Sequence, residues 1–360
     1  MIELNRPILI VAGGTGGHIY PALAVAECLA ESNIQAVWLG SEQGLETRIV
    51  PDAGIQLFKI AVTGLRGRGA WRWLISPFAL SFAILQAILV VLRTRPTLVL
   101  GMGGFASGPG GLAAWICRRP LVIHEQSSIP GLTNKLLSRL ATKVLQGFPG
   151  AFPSARNAIT VGNPVRRSIV SLQPPGDDDF TSGRFNILVI GGSRGADALN
   201  VGVPAALSQT KVIDAQVHHQ VGIGKVAETR ERYFGARAIV EVSEFIESID
   251  QAYRWASIVI CRAGALTISE ISAAGVASIL VPFPYAADDH QTANAAYLVD
   301  AEAALLVAEG VNFETRLAAA MQSLFDDRAY IARLAARARQ LATPNAATVV
   351  AKHCRELIDA

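Results

Sequence analysis

The sequence predicts an α/β protein made of two doubly wound parallel-sheet domains, and three observations carry that expectation. Short runs of Val, Ile and Leu without polar alternation recur along the chain, separated by longer helix-like stretches. Strands of that composition are covered on both faces, as parallel strands are. One such run near the start of each half enters a glycine-rich turn. Ile8-Leu9-Ile10-Val11 precedes Gly13-Gly14-Thr15-Gly16-Gly17-His18, and Ile187-Leu188-Val189-Ile190 precedes Gly191-Gly192-Ser193-Arg194-Gly195. A chain of 360 residues is long for one domain and comfortable as two.

The strands expected in the first half are Ile8–Ala12, Ala36–Gly40, Leu98–Gly101, Leu121–His124 and Lys143–Leu145. Those of the second half are Ile187–Ile190, Ala215–Val221, Ile239–Val242, Ile258–Ile260 and Ala277–Pro282. Between the two series, Gln173-Pro174-Pro175-Gly176-Asp177-Asp178-Asp179 combines helix breakers and acids and reads as a linker. The boundary therefore falls near Asn163–Arg184, giving domains of 1–165 and 166–344. A final helix over 345–360 is open to packing back on the first domain. Each strand-turn-helix junction aims backbone N–H groups and the positive end of a helix dipole at the space above the strand, which suits an anionic ligand.

Composition narrows the class. A hydrophobic fraction of 51% against 17% charged residues describes a globular protein. A net charge of +3, with no RNP, zinc-finger or basic-helix pattern, gives no case for nucleic acid. Cys28, Cys117, Cys261 and Cys354 form no CxxC pair, so reduced thiols are expected and neither a zinc site nor a disulfide framework. Met1–Arg6 lead directly into the first strand, without a signal-peptide pattern. The stretch Leu74–Leu92 carries no charge and reaches the length of a membrane span, roughly 18 residues. Ser76, Pro77, Ser81 and Gln86 interrupt it, however, and it lies between strands of one sheet. It reads as one or two helices, partly core and partly a surface dipping into lipid, with a wholly buried helix as the other reading.

Several clusters carry chemistry. The first turn lacks the G-x-G-x-x-G spacing of a dinucleotide site, although Glu42 lies where an acid would be wanted. Gly224-Lys225 is followed by Val226, which excludes a Walker A loop. Thr15 and His18 are poor packing choices at a helix start. A helix dipole there disfavours imidazolium, so His18 suits a general base near neutral pH. Gly101–Gly111 forms another glycine-rich loop, and His124-Glu125-Gln126-Ser127 ends a further strand. In the second half, Thr267 or Ser269 is placed to cap a helix whose first turn holds Glu270, a carboxylate suited to a sugar diol. Asp288-Asp289-His290-Gln291-Thr292-Ala293-Asn294 follows a later strand, where sugar recognition by Gln291 and Asn294 is more economical than a metal site.

The segments GGTGGHIYPALAVA, GMGGFASGPGGLAAW, HEQSSIPGLTNK, GNPVR, GGSRGADALN, CRAGALTISE and DDHQTANAA, in this order, resemble the MurG family of bacterial peptidoglycan glycosyltransferases across essentially the whole chain. The resemblance implies a GT-B fold, two Rossmann-like domains separated by a cleft, and an inverting enzyme without an essential bound metal or other cofactor. It implies transfer of N-acetylglucosamine from UDP-GlcNAc to the C4 hydroxyl of N-acetylmuramoyl-pentapeptide-pyrophosphoryl-undecaprenol, converting lipid I to lipid II. It places the protein on the cytoplasmic face of the inner membrane, peripherally, with cell-wall and division proteins as further partners.

By the same resemblance, Thr15, Gly16 and Gly17 lie against the donor and His18 near the reacting hydroxyl, with Glu125 as second choice of base. Arg166 and Ser193 meet nucleotide and phosphate groups, and the backbone at Ile246 reads uracil. Ala265, Leu266, Thr267, Ile268, Ser269 and Glu270 hold phosphates and ribose, with Glu270 on the ribose hydroxyls, while His290 and Gln291 bind the GlcNAc hydroxyls. Two residues depart from the family pattern: Ser127 stands where many relatives carry a sugar-contacting Asn, and Arg194 where many carry Gln. The lipid acceptor gives the uncharged stretch a purpose. Trp71, Trp73, Leu74, Ile75, Phe78 and Phe82, flanked by arginines, form a patch for an anionic membrane surface. The competing classes are a GT-B enzyme with another acceptor and a non-catalytic UDP-sugar-binding scaffold.

Overall fold

The computed structural model describes residues 6–62, 71–173, 184–192, 195–212 and 214–359, with backbone alone for 71–77 and 287. The chain divides into two compact units, Met1–Arg166 with Thr343–Ala360, and Arg167–Ala342. The linker-like segment beyond Gln173, up to residue 183, lies outside the described residues.

Unit 1 is a parallel sheet of seven strands in the order β3-β2-β1-β4-β5-β6-β7. These are β1 (Ile8–Val11), β2 (Ala36–Ser41), β3 (Gln56–Ile60), β4 (Leu98–Gly101), β5 (Leu121–Glu125), β6 (Lys143–Gln146) and β7 (Ile159–Thr160). The helices between them are α1 (Gly16–Glu31), α2 (Glu46–Asp52), α3 (Trp71–Thr94), α4 (Ser107–Ile116) and α5 (Leu132–Leu137). Alternate residues of β1 feed two cores. Ile8 and Ile10 join α1 residues Ile19, Ala22 and Val25 on one face, and Leu9 and Val11 join Ala87, Val91 and Ala113 on the other. That two-sided burial is why the strand reads as an unbroken apolar run. The last helix of the chain, Ala346–Ile358, covers the first of these cores with Val350, Ala351 and Cys354.

Unit 2 repeats the order with β10-β9-β8-β11-β12-β13. Its strands are β8 (Phe185–Ile190), β9 (Ala215–Gln220), β10 (Ala238–Ser243), β11 (Ile258–Cys261), β12 (Ala277–Leu280) and β13 (Leu305–Leu306). Its helices are α6 (Arg167–Val170), α7 (Asp197–Gln209), α8 (Val226–Arg232), α9 (Ile249–Trp255), α10 (Ala265–Ala274), α11 (His290–Val299), α12 (Phe313–Asp326) and α13 (Arg328–Gln340). The C-terminal Ala346–Ile358 is thus α14. Counted within each unit, both sheets begin 3-2-1-4-5-6, the doubly wound order whose strand direction of progression reverses between the first and fourth strands. In unit 1 that switch point lies between β1 and β4, and in unit 2 between β8 and β11. Within each unit, the glycine turn and the loop after the fourth strand of that unit (β4 or β11) therefore lie where α/β sheets bind ligands.

The sequence reading missed β3, β7 and β13. Gln56 and Lys59 of β3 are exposed, and β7 and β13 have two residues each, so edge position or brevity removes the apolar run.

Candidate active site

At the switch point of unit 1, Thr15 caps α1 with extended backbone, and its carbonyl accepts from the His18 and Ile19 amides. Gly16, Gly17 and His18 form the first turn of the helix. The loop after β4 packs directly on this turn. Gly104, at φ +85°, has the Gly13 carbonyl where a side chain would begin, a position only glycine fills. A Cβ on Gly103 would lie 2.5 Å from His18 Nδ1. That nitrogen is buried and has no hydrogen-bond partner among the described residues. Burial pushes the His18 pKa below the ordinary imidazole value, while the neighbouring Gln126 side chain, the Met102 backbone and the charge of Glu46 act in the opposite sense. The ring is therefore neutral and able to accept a proton at pH 7.

Beneath the turn lies a residue the motif reading missed. Glu46 is fully buried, and its carboxylate accepts from the Gly14 amide at 2.9 Å, the Ser41 amide at 2.7 Å and the Ser41 hydroxyl at 2.6 Å. Gly13, Gly40 and Gly44 leave the room it occupies. Glu42, the acid offered by the sequence, is exposed. The turn thus meets a carboxylate of its own chain, through an acid at the start of α2 that no dinucleotide spacing signals.

The end of β5 is equally committed to architecture. Glu125 accepts from the Ser127 and Gly131 amides and from Asn134 Nδ2, so both oxygens hold the 127–131 loop. Burial raises its pKa and these donors lower it. His124 is buried with Nε2 2.9 Å from the Gly162 carbonyl, and burial lowers its pKa to about 4. A neutral ring donates there. Asn163 Nδ2 donates to the Gln126 carbonyl, so the GNPVR segment is fastened to HEQ. Arg166, the last residue of that segment, stacks over the Tyr20 ring of α1 at 4.3 Å.

In unit 2 the turn after β8 closes with the Gly195 amide donating to the Gly192 carbonyl, and Gln220 Nε2 donates to the same carbonyl. Gly195, at φ +70°, abuts the Val221 carbonyl. Ser193 and Arg194 lie outside the described residues. Helix α10 starts immediately after β11 with Gly264 as its cap, leaving the first-turn amides of Ala265, Leu266 and Thr267 at the sheet's carboxyl edge. Neither Thr267 nor Ser269 caps it, contrary to expectation: both are inside the helix, and Ser269 Oγ turns back to the Ala265 carbonyl. Glu270 lies in the second turn rather than the first, beyond Ile268, which is core; it is buried and accepts from the Tyr253 hydroxyl at 3.1 Å. Ile246 is buried beside a cavity of 390 Å³ that Phe245, Ser248 and Trp255 also line.

The loop after β12 brings Gln291 and His290 to the start of α11, next to Asp288 and Asp289, both with left-handed backbone. Gln291 Oε1 accepts from the Phe283 amide at 2.9 Å. Asn294, expected on the sugar, is fully buried and donates to the Ala263 carbonyl, which makes it a brace for the start of α10. Arg262 is likewise spent on structure: it pairs with Glu309, donates to the Val281 and Pro282 carbonyls and lies over the Phe283 ring. Among the described residues no group of three or more His, Cys, Asp or Glu side chains could hold a metal ion.

Helix α3 turns the usual amphipathic pattern inside out. Ala83, Ala87 and Val91 are its buried positions, while Phe78, Phe82, Leu85, Leu89 and Leu92 are exposed at alternating spacings of four and three residues. The side chains of Trp71, Trp73, Leu74 and Ile75 lie outside the described residues. Gln86, one of the polar interruptions, accepts from the Ala61 amide. Helix α4 packs on α3, and its Trp115 and Ile116, which the sequence reading did not single out, are also exposed. Between Asp52 and Asp177 the one acidic residue is the buried Glu125, whereas Lys and Arg recur throughout. No helix among the described residues is long and apolar enough to cross a membrane.

Two doubly wound parallel-sheet units, each matching a domain of one glycosyltransferase family, define a glycosyltransferase of the GT-B class. Residues 8–146 match the glycosyltransferase family 28 N-terminal domain, and residues 186–352 match the family's C-terminal domain. The chain is 49% identical over 98% of its length to a UDP-N-acetylglucosamine–N-acetylmuramyl-(pentapeptide) pyrophosphoryl-undecaprenol N-acetylglucosamine transferase of Alkalilimnicola ehrlichii, covering 99% of that protein. It is 47% identical to the transferase of the same name from Methylococcus capsulatus, with 98% and 99% covered. The crystal structure of Acinetobacter baumannii MurG is similar at a TM-score of 0.81 and 37% identity, with 98% of this chain and 99% of that one covered. The chain belongs to the MurG family of N-acetylglucosamine transferases.

Proposed function

We infer that this enzyme moves GlcNAc from UDP-GlcNAc to the C4 hydroxyl of undecaprenyl-pyrophosphoryl-N-acetylmuramoyl-pentapeptide, inverting the anomeric carbon. The observation that carries the reading is identity of nearly one half along both units to transferases named for this reaction. The site chemistry supports it. As the anomeric carbon gains oxocarbenium character, the acceptor hydroxyl must lose a proton and the departing UDP must have its charge stabilised. His18, kept neutral by burial, is the base. Glu125, with both oxygens occupied by loop donors, is the weaker candidate. Thr15, Gly16 and Gly17 lie against the donor sugar, as does Ser127 of the loop after β5.

The first-turn amides of α10, from Ala265 to Thr267, with Ser193, take the developing charge on the diphosphate. Ile246 reads uracil through its backbone, Glu270 takes the ribose hydroxyls, and Gln291 and His290 take the GlcNAc hydroxyls. The exposed apolar face of α3, with the basic residues around it, rests on anionic lipid at the cytoplasmic face of the inner membrane, where the acceptor's undecaprenyl chain is anchored.

The test is His18→Ala, assayed by UDP release with a lipid I analogue. Turnover should fall by about 10²–10⁴-fold, the usual worth of a general base, with UDP-GlcNAc affinity unchanged. Near wild-type turnover would remove His18 from the role. UDP-GlcNAc binding without acceptor-dependent release in the wild type would favour a non-catalytic scaffold.

A further inference from the structure

The carboxylate assigned to the ribose is not held by its own helix alone. Tyr253 of α9 is fully buried, and its hydroxyl donates to Glu270 Oε2 at 3.1 Å across the packing of α9 on α10. A buried phenol and a buried carboxylate each need a polar partner. The pair meets both needs and fixes the carboxylate's rotation with a rigid aromatic lever. The sequence around the lever adds to its meaning. Only Glu247 and Ser248 separate Ile246, the base-reading residue, from the first residue of α9, and Tyr253 follows one helical turn further on. One short connection thus carries both the backbone that reads the base and the hydroxyl that orients the acid beside it.

We propose that Tyr253 is a positioning residue for nucleotide recognition: its hydroxyl aims Glu270 at the ribose diol, so that ribose selection and base reading depend on one segment, 246–253. The proposal rests on the assignment of Glu270 to the ribose. Its specific consequence is a loss of discrimination rather than a general loss of binding. Sites built to hydrogen-bond a hydroxyl reject analogues lacking it, because the site's polar groups are then left unpaired. A carboxylate free to turn away loses that penalty.

Calorimetry on the full chain with UDP and 2′,3′-dideoxy-UDP tests this in the wild type, Tyr253→Phe and Glu270→Gln. Phenylalanine keeps the ring that packs in the core, and an unchanged melting profile verifies that. Wild type should prefer UDP by a large factor, on the order of 30-fold or more, and Tyr253→Phe should cut that preference by about tenfold while dideoxy-UDP binding stays within about twofold. In turnover, KM for UDP-GlcNAc should rise with kcat nearly unchanged. Undiminished discrimination in Tyr253→Phe, with Glu270→Gln losing it, overturns the proposal and leaves the ribose assignment standing. Equal discrimination in wild type and Glu270→Gln overturns the ribose assignment, and the proposal with it.

Discussion

Glu46 fills the space under the first glycine turn that an incoming anion would otherwise seek. With the Gly14 amide and two Ser41 donors on its oxygens, it pins the turn from which α1 and His18 project. Its charge also raises the His18 pKa against the larger effect of burial. In Glu46→Gln one oxygen becomes an NH₂ group, so either Gly14 or Ser41 faces a donor instead of an acceptor, at a cost of roughly 1–3 kcal/mol. The sign of the pH effect follows from the charge. Without it, His18 holds its proton less tightly, and the acid limb of kcat moves to lower pH. The expected outcome is a fall in kcat of about tenfold at pH 7.5, equivalent to ~1.4 kcal/mol, a limb shifted downward, and unchanged affinity for UDP. A pH profile superimposable on that of the wild type would restrict Glu46 to a structural role.

At the scale of elements, α3 presents its large apolar residues to solvent and its small ones to the core, which is costly for a protein surrounded by water alone. Replacing Phe78, Phe82 and Leu85 together by Ser removes three exposed side chains without touching the Ala83, Ala87 and Val91 contacts. Each such side chain is worth up to ~2 kcal/mol when buried in an apolar phase, so binding to vesicles rich in phosphatidylglycerol should weaken by tenfold or more. Co-sedimentation measures this, and turnover of a water-soluble acceptor should persist. Undiminished vesicle binding would remove the face from membrane contact. Elements such as β1 and β8 were legible in sequence because both faces are buried and their apolar runs are unbroken. The glycine turns were legible because backbone crowding at Gly104 and Gly195 leaves no alternative to glycine. Glu46 and Tyr253 were not, since each owes its role to a partner on another element: the turn after β1 and the acid on α10. Asn294 misled for the same reason, since its polar head serves the Ala263 carbonyl.

At the scale of the whole molecule, the chain leaves unit 1 after Arg166 and returns at Thr343, so that α14 completes a core begun by β1. Val350 lies at the centre of that debt: it is fully buried in the cluster with Ile8, Ile10, Ile19 and Val25. Among the described residues the cores of the two units share no residue. Val350→Asp places an unpaired carboxylate in the apolar core of unit 1 and should destabilise it by about 3–5 kcal/mol, the scale of an uncompensated buried charge. Unit 2 keeps the residues assigned to uracil, ribose and the first-turn amides of α10 within 167–342, so UDP should stabilise it by mass action alone. Scanning calorimetry then separates the two. UDP should raise one transition in both proteins, and Val350→Asp should lower the other, leaving UDP affinity below that transition as in the wild type. If the substitution moves the same transition that UDP protects, the C-terminal helix supports both units, and the division into separate stability cores fails.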